Sequence, residues 1–221
     1  MIRCNSRWCS FLQSMLRKPI KRGIKVFCLA DAVSNYLFSW DVYTAPLGWT
    51  VHNLVCGTLL PADFDNNDHV LVVDNYFVGV KLFVDLAKRA IYAVGTSKLV
   101  RPANVTDGSW PFQTYAKTLM ERVDRGWRRI ARYVIPGMET DDHTIQASVW
   151  RDNKFVQMLS TCFNVDDPVR VRRWDGSSAD RSWYSGLLQH YIYQKYMAAI
   201  DRIDRVIANL RLGLHHCQRR F

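Results

Sequence analysis

The chain has 221 residues, of which 48% are hydrophobic, and it carries a formal net charge of +10 at pH 7. That length fits one domain with room for an insertion, the apolar content excludes a chain disordered by composition, and no apolar run approaches the roughly 18 residues of a membrane-spanning helix. The positive charge favours a polyanionic partner, with nucleic acid first and an acidic membrane second.

The first 20 residues are basic and irregular, and they lead into a short link in which Lys21 and Arg22 continue the positive charge. This segment has two interpretations, a solvated lead-in or an edge that contacts phosphates. The second interpretation places Lys21 and Arg22 among the predicted DNA-binding residues.

Residues 23–31 predict a strand that is apolar on both faces and ends in a carboxylate, Asp31. Burying an ionised aspartate costs several kcal/mol unless a cation or hydrogen-bond donors meet it. Asp31 is therefore either a turn or helix-capping residue, or a metal ligand at the end of a central strand. Residues 32–35 predict a turn, and residues 36–43 predict a second strand that pairs antiparallel with the first.

Apolar spacing predicts a helix over residues 49–60, which Pro61 ends. The acidic loop that follows, at residues 62–68, has acids at alternate positions. It lacks the glycine and the closing glutamate of an EF-hand, which argues against a calcium site.

Residues 69–73 repeat the earlier pattern, because an apolar strand again leads directly to a carboxylate, Asp74. An amphipathic helix over residues 79–89 and a strand over residues 91–96 are predicted next. A strand, a helix and a second strand in this order predict a parallel crossover.

The following segment is rich in arginine. Residues 114–133 predict a basic helix over at least part of their length, and Trp127 within it either packs or stacks on a nucleic-acid base. A hairpin turn is predicted at residues 151–154, and residues 169–174 predict a strand with a basic face. These two basic stretches supply the other predicted DNA-binding residues, which are Arg125, Arg128, Arg129, Arg172 and Arg173.

A single long helix is predicted over residues 183–214, with an apolar stripe that steps by threes and fours. Asp201 and Asp204 are three residues apart and share a face beside that stripe. They are either ordinary surface partners of the arginines around them or part of a functional site.

Six short segments, in order along the chain, carry a family pattern: 18–25 (KPIKRGIK), 29–31 (LAD), 73–77 (VDNYF), 95–96 (GT), 159–161 (LST) and 195–204 (KYMAAIDRID). Together they resemble the transposase domain of piggyBac-type transposable elements and their domesticated derivatives. The resemblance implies an α/β, ribonuclease-H-like mixed sheet flanked by helices, with an α+β insertion before the last catalytic helix. It places a basic lead-in at 1–20, the first part of the catalytic domain at 21–98, the insertion at 99–178 and the catalytic helix at 179–221.

The resemblance also implies a site of three aspartates. Asp31, Asp74 and Asp201 match the catalytic and metal-binding carboxylates, and Asp204 matches a further acid close to the metal. Two Mg²⁺ or Mn²⁺ ions are the implied cofactors. Hard oxygen ligands can hold such a pair about 4 Å apart, where it activates a nucleophile and stabilises a leaving oxygen during phosphodiester cleavage and strand transfer.

The implied partner is DNA, as transposon ends and an AT-rich target, with a homodimer expected, no membrane and a nuclear location. Two departures from the family pattern bear on activity. The first is that Ala198 and Ala199 stand where the family has glycines. The second is that the family's cysteine-rich C-terminal domain does not follow the last helix. The second departure predicts that the chain is a fragment or a degenerate copy.

Two functions therefore remain open, an active metal-dependent transposase core and a catalytically silent, domesticated protein that binds DNA or acts as a scaffold. A nuclease of the same fold with an unrelated role is the weaker third reading, because the neighbours of the aspartates match transposases.

Overall fold

The computed structural model of the chain describes residues 2–3, 12–16, 20–44, 54–55, 69–97, 123–135, 144–162, 168–174 and 180–218. The chain divides into two compact units. The first consists of Met1–Phe64 with Ala198–Phe221, and the second of Asp65–Met197. No helix in the described ranges is long and apolar enough to cross a membrane.

Among the described residues, the strands of the first unit form two small sheets, and the C-terminal part of the chain adds a long helix. Its described elements are β1 (Ile2–Arg3), β2 (Leu12–Ser14), β3 (Arg22–Ile24), β4 (Val26–Ala30), β5 (Leu37–Val42) and, from the C-terminal part of the chain, α3 (Ala199–Gln218). The first three strands form an antiparallel sheet in the order β1-β3-β2, and β4 pairs antiparallel with β5.

The β4–β5 hairpin confirms the predicted turn and antiparallel pairing around Asp31. The strand predicted over residues 23–31 is instead divided between β3 and β4, and β4 lies in a two-stranded sheet rather than at the centre of a larger one. Cys28 in β4 lies opposite Trp40 in β5. The Asp31 N–H donates to the Tyr36 carbonyl oxygen at 2.8 Å, and Asn35 has a φ of 61°. Asparagine is one of the few side chains that tolerate this left-handed conformation, so the local sequence favours a reversal at this point.

The second unit holds the larger sheet. Its described elements are β6 (His69–Val73), α1 (Val80–Ala87), β7 (Ile91–Ser97), β8 (Arg128–Val134), β9 (Thr144–Arg151), β10 (Phe155–Ser160), β11 (Pro168–Trp174), β12 (Arg181–Leu187) and α2 (Leu188–Tyr196). Five of these strands form a sheet in the order β6-β7-β10-β9-β8, and β11 and β12 form a separate antiparallel pair.

The five-stranded sheet is mixed. β6 and β7 run parallel, with α1 connecting them, whereas β7, β10, β9 and β8 pair antiparallel. The parallel pair and its helix confirm the predicted crossover. Phe83 and Leu86 of α1 are 0% and 1% exposed, and burying two such side chains contributes about 3–6 kcal/mol of hydrophobic stabilisation.

Part of the basic segment that was predicted to be helical is a strand in the structure. Arg128–Val134 is β8, which pairs with β9 along its whole length, and its Ile130 packs against the cluster of Trp150, Val171 and Leu187. Trp127, just before β8, meets Phe155 edge-on with ring centroids 6.0 Å apart. This contact agrees with the interpretation of Trp127 as a packing residue. The basic run therefore follows the tertiary pairing of its backbone rather than its helical propensity.

The long C-terminal helix was predicted to begin too early. Residues 181–187 form β12, where Gly186 lies so close to β11 that a Cβ at this position would approach Val171 Cγ1 to 2.9 Å. The helical part begins at Leu188, is interrupted at Met197 and Ala198, and resumes as α3. Ile207 and Leu210 of the predicted apolar stripe are exposed on α3.

Some predictions concern parts of the chain outside the described residues. These are most of the helix at 49–60, the acidic loop at 62–68 and the basic segment at 114–122. The domain boundaries at residues 20, 98 and 178 likewise stay a prediction.

Candidate active site

Asp31 begins the turn that follows β4, and its carboxylate is well supplied with donors. One carboxylate oxygen accepts from the Val33 N–H at 3.2 Å, and the other accepts from the Ser34 N–H at 2.7 Å and from the Ser34 hydroxyl. The bonds from the Ser34 hydroxyl, then from the backbone N–H groups, hold the pKa of Asp31 below its usual range. The described contacts thus show a turn aspartate that is kept ionised, and they leave lone pairs on both oxygens for a cation.

The first turn of α3 is joined to the Asp31 turn by Arg202. Its Nε donates to Asn35 Oδ1 at 2.7 Å, and one terminal nitrogen donates to the Ala32 carbonyl oxygen at 2.7 Å. Bonds from a charged donor contribute roughly 1.5–3 kcal/mol each when the acceptor is held in place. Arg202 therefore brings the start of α3, which carries the exposed Asp201, beside the turn that carries Asp31.

Asp204 lies one helical turn further along α3, the helix that contacts β4. Burial raises the pKa of the Cys28 thiol, and the nearby Asp204 carboxylate raises it further. Asp204 therefore lies near the strand that leads to Asp31. Asp201 and Asp204 are both exposed, and both interpretations of them, surface partners of arginines and members of a functional site, stay predictions.

Asp74 follows β6 in the second unit, and its exposed side chain accepts from the Asn75 N–H at 2.5 Å. Beside it, the Thr96 hydroxyl donates to the Tyr193 hydroxyl oxygen at 3.3 Å. Burial raises the pKa of Tyr193, and the Asp74 charge raises it further against the opposing effect of the Thr96 bond. The carboxyl ends of β6 and β7 thus gather Asp74, Thr96 and a neutral Tyr193 from α2.

These contacts bring some of the predicted carboxylates together and not others. The contacts of Arg202 and Asp204 put Asp31, Asp201 and Asp204 in one neighbourhood of the first unit, and Asp74 belongs to the second unit. In the described ranges, no three His, Cys, Asp or Glu side chains come close enough to hold one metal ion. The donor chemistry suits a hard cation such as Mg²⁺, but the joint site of Asp31, Asp74 and Asp201 stays a prediction.

Two of the predicted DNA-binding arginines have a structural role that the sequence did not reveal. Asp152 lies in the β9–β10 turn and accepts from Arg125 at 2.5 and 2.8 Å and from Arg173 at 3.1 Å. Arg125 also donates to the Trp174 carbonyl oxygen at 2.7 Å. The three side chains are only 16–20% exposed, so this cluster ties β11 to the turn of the large sheet.

Replacing Asp152 by asparagine is expected to destabilise the protein by about 2 kcal/mol at pH 7, because two guanidinium groups lose their shared carboxylate. Burial opposes ionisation of Asp152, but the bonds and charges of Arg125 and Arg173 outweigh it and lower the pKa of this carboxyl. The stabilisation is present above the ordinary pKa of aspartate, about 3.9, and is lost as pH falls through the lower folded value. Urea unfolding of both proteins should therefore show a difference at pH 7 that shrinks below about pH 4, and a difference that stays constant with pH would contradict the assignment.

The other predicted DNA-binding residues are mostly at the surface. Arg128 is half-buried and donates to the Ser185 hydroxyl at 2.7 Å. The exposed ones are Lys21, Arg22, Arg129 and Arg172. Their contacts with DNA stay a prediction.

Sequence reasoning missed Asp152 and Arg202 as organising residues. The only signal for Asp152 was its position in a predicted turn, and the only signal for Arg202 was its position between two motif aspartates. Both act on partners that are distant along the chain, so no local pattern indicates the contact.

Residues 1–219 match the family described as Transposase IS4. A cryo-EM structure of a piggyBac transposase synaptic complex with hairpin DNA superposes with a TM-score of 0.58 at 16% sequence identity, over 90% of this chain and 37% of that one. This likeness confirms the predicted α/β, ribonuclease-H-like fold, and the chain spans 37% of the length of that transposase. From the match over nearly its whole length, the chain belongs to the Transposase IS4 family, as a piggyBac-type transposase domain.

Proposed function

We propose that this domain cleaves DNA phosphodiester bonds and transfers a DNA strand, with Asp31, Asp74 and Asp201 as its catalytic carboxylates. The observation that carries the proposal is the clamp made by Arg202. It joins the first turn of α3, with Asp201, to the turn after β4, with Asp31. Asp74 has the equivalent place after β6, where a strand likewise ends in an exposed carboxylate.

The residues have distinct roles in this proposal. Asp31 is kept ionised by Ser34 and the turn backbone, so it is ready to bind a cation at neutral pH. Arg202 positions Asp201, and Asp204 supplies a further acidic side chain close to the metal ions from the next turn of α3. When bound by these carboxylates, two Mg²⁺ or Mn²⁺ ions would supply an activated nucleophile and stabilise the leaving oxygen.

DNA is the proposed substrate and partner, as transposon ends and an AT-rich target. The net charge of +10 supports a polyanionic ligand, and the structurally similar transposase was solved in a synaptic complex with hairpin DNA. Action as a homodimer and a nuclear location belong to the same proposal. Residues Lys21, Arg22, Arg129 and Arg172 supply exposed cations for phosphate contacts.

The proposal is tested by nicking of supercoiled plasmid DNA by the purified chain. We expect relaxed plasmid to accumulate with Mg²⁺ or Mn²⁺ and not with EDTA. A chain that binds the plasmid in a salt-dependent manner but never relaxes it in either metal would instead support the catalytically silent DNA-binding protein. Relaxation that is unchanged by EDTA would contradict metal-dependent cleavage.

A further inference from the structure

One face of the β11–β12 pair carries three arginines, two tryptophans and a serine. In the antiparallel register, Arg170 lies opposite Ser185, Arg172 opposite Trp183, and Trp174 opposite Arg181. Directly opposed residues share a face of the sheet, so these six side chains lie on the same side. All six are exposed. We refer to them as the ribbon face.

The ribbon face is positively charged along its length. Neither strand contains an acidic residue, and no carboxylate among the described residues pairs with Arg170 or Arg181. The Arg172 guanidinium lies 5.8 Å from the centre of the Trp183 ring. This cation–π contact orients the arginine and leaves its outer donors open to an anion.

The opposite side of the same two strands is buried and anchors the ribbon. On that side, Val171 packs with Trp150 of the large sheet, as do the partly buried Val169 and Tyr184, and the Trp150 indole N–H donates to the Ser185 carbonyl oxygen at 2.9 Å. Asp152 holds the same strand through Arg173. The indoles of the ribbon face are therefore exposed on the side away from this packing and are not part of the core.

Two exposed indoles with an arginine opposite each have a specific chemical use. Aromatic side chains stack on the faces of unpaired bases, while arginines bind the phosphates between them, and this combination is typical of proteins that bind single strands. In a duplex the base faces are already stacked on one another, so an exposed indole finds no free base face and adds little to the binding affinity. Trp174 and Trp183 are diagonal neighbours about 7–8 Å apart, which lets both contact one short stretch of a strand.

We propose that the ribbon face binds unpaired nucleotides of a DNA strand, with Trp174 and Trp183 stacking on bases and Arg170, Arg172 and Arg181 contacting phosphates. This inference rests on the proposed function only in taking DNA as the partner. The positive charge of the face selects a polyanion, and its exposed indoles select unpaired bases over duplex.

The test is fluorescence anisotropy with a labelled 16-nucleotide single strand and the matching duplex, measured with the full chain in EDTA. We expect Trp174→Ala and Trp183→Ala each to weaken single-strand binding by about 5- to 160-fold, and to change duplex binding by less than about twofold. Trp183→Phe should retain most of the affinity because it keeps an aromatic face, whereas Trp183→Leu should not. Arg172→Ala should weaken the binding of both the single strand and the duplex. It should also reduce the slope of log K against log salt by about one.

Trp40 offers a matched control, because it is 61% exposed on β5 of the other unit, against 58% for Trp174 and 59% for Trp183. Trp40→Ala should bind the single strand as the unchanged chain does. Equal losses for single strand and duplex, or no loss in either tryptophan variant, would overturn the stacking proposal. Because metal is absent, the outcome is independent of cleavage.

Discussion

Replacing Asp74 by asparagine is expected to slow Mg²⁺-dependent DNA cleavage by at least about 10³-fold, since a bound metal contributes several kcal/mol to the transition state. An amide oxygen is a neutral and weaker ligand than a carboxylate for a hard cation. The fold should be unaffected, because the side chain is exposed and its bond from the Asn75 N–H can be accepted equally by an amide oxygen. The measurement is the single-turnover rate of plasmid nicking.

Asp41→Asn is the matched control for this change. Asp41 is an exposed aspartate on β5, so the same loss of one charge occurs away from the proposed carboxylates. We expect this variant to cleave within about twofold of the unchanged protein, as surface substitutions usually do little. If Asp74→Asn were as active as Asp41→Asn, Asp74 would not be a metal ligand and the three-aspartate proposal would fail.

Replacing Gly95 by alanine is expected to lower the free energy of unfolding by about 3 kcal/mol, the upper part of the usual range for overpacking. A Cβ at Gly95 would approach Val78 Cγ2 to 2.5 Å, the Val73 carbonyl oxygen to 2.7 Å and Val73 Cγ2 to 2.8 Å. The carbonyl oxygen belongs to β6, which is paired with β7, so it cannot move without disturbing the sheet. Urea unfolding followed by circular dichroism measures the loss.

Gly79→Ala is the corresponding control, because no atom lies within 4 Å of a Cβ at that position and the backbone there is extended. Its expected cost is a few tenths of a kcal/mol, since alanine caps a helix less well than glycine. Comparable losses at both positions would show that the close contact of Gly95 with Val73 and Val78 does not constrain the sheet. The glycine matters for the site because Thr96, beside Asp74, follows it directly.

Local patterns predicted the elements that carry two of the site residues. β4 with Asp31, and β6 with Asp74, each combine an apolar run with a following turn, and both the run and the turn depend on neighbouring residues alone. The same holds for α1 and β7, whose order in the chain predicted a parallel pair. The family was predicted because its short motifs occur in order along the chain.

Local patterns failed where a distant partner decided the conformation. Residues 128–134 and 183–187 carry side chains that suit helices as well as strands, and they became strands because β9 and β11 provide hydrogen-bonding partners. Arginines showed the same limit, because their charge did not indicate that Arg125 and Arg173 bind Asp152, 27 and 21 residues away.

By itself, the amino-acid sequence determined the family, the two strands that end in aspartates and the positive charge of the molecule, because each is a property of composition or of residues close along the chain. The tertiary structure alone decided that Arg202 binds partners 167 and 170 residues away, and that β11 and β12 display their arginines and tryptophans on one exposed face. Contacts of that kind depend on the geometry of packed elements, since a guanidinium or an indole has the same local sequence signature whether its partner is water, a carboxylate or a distant turn.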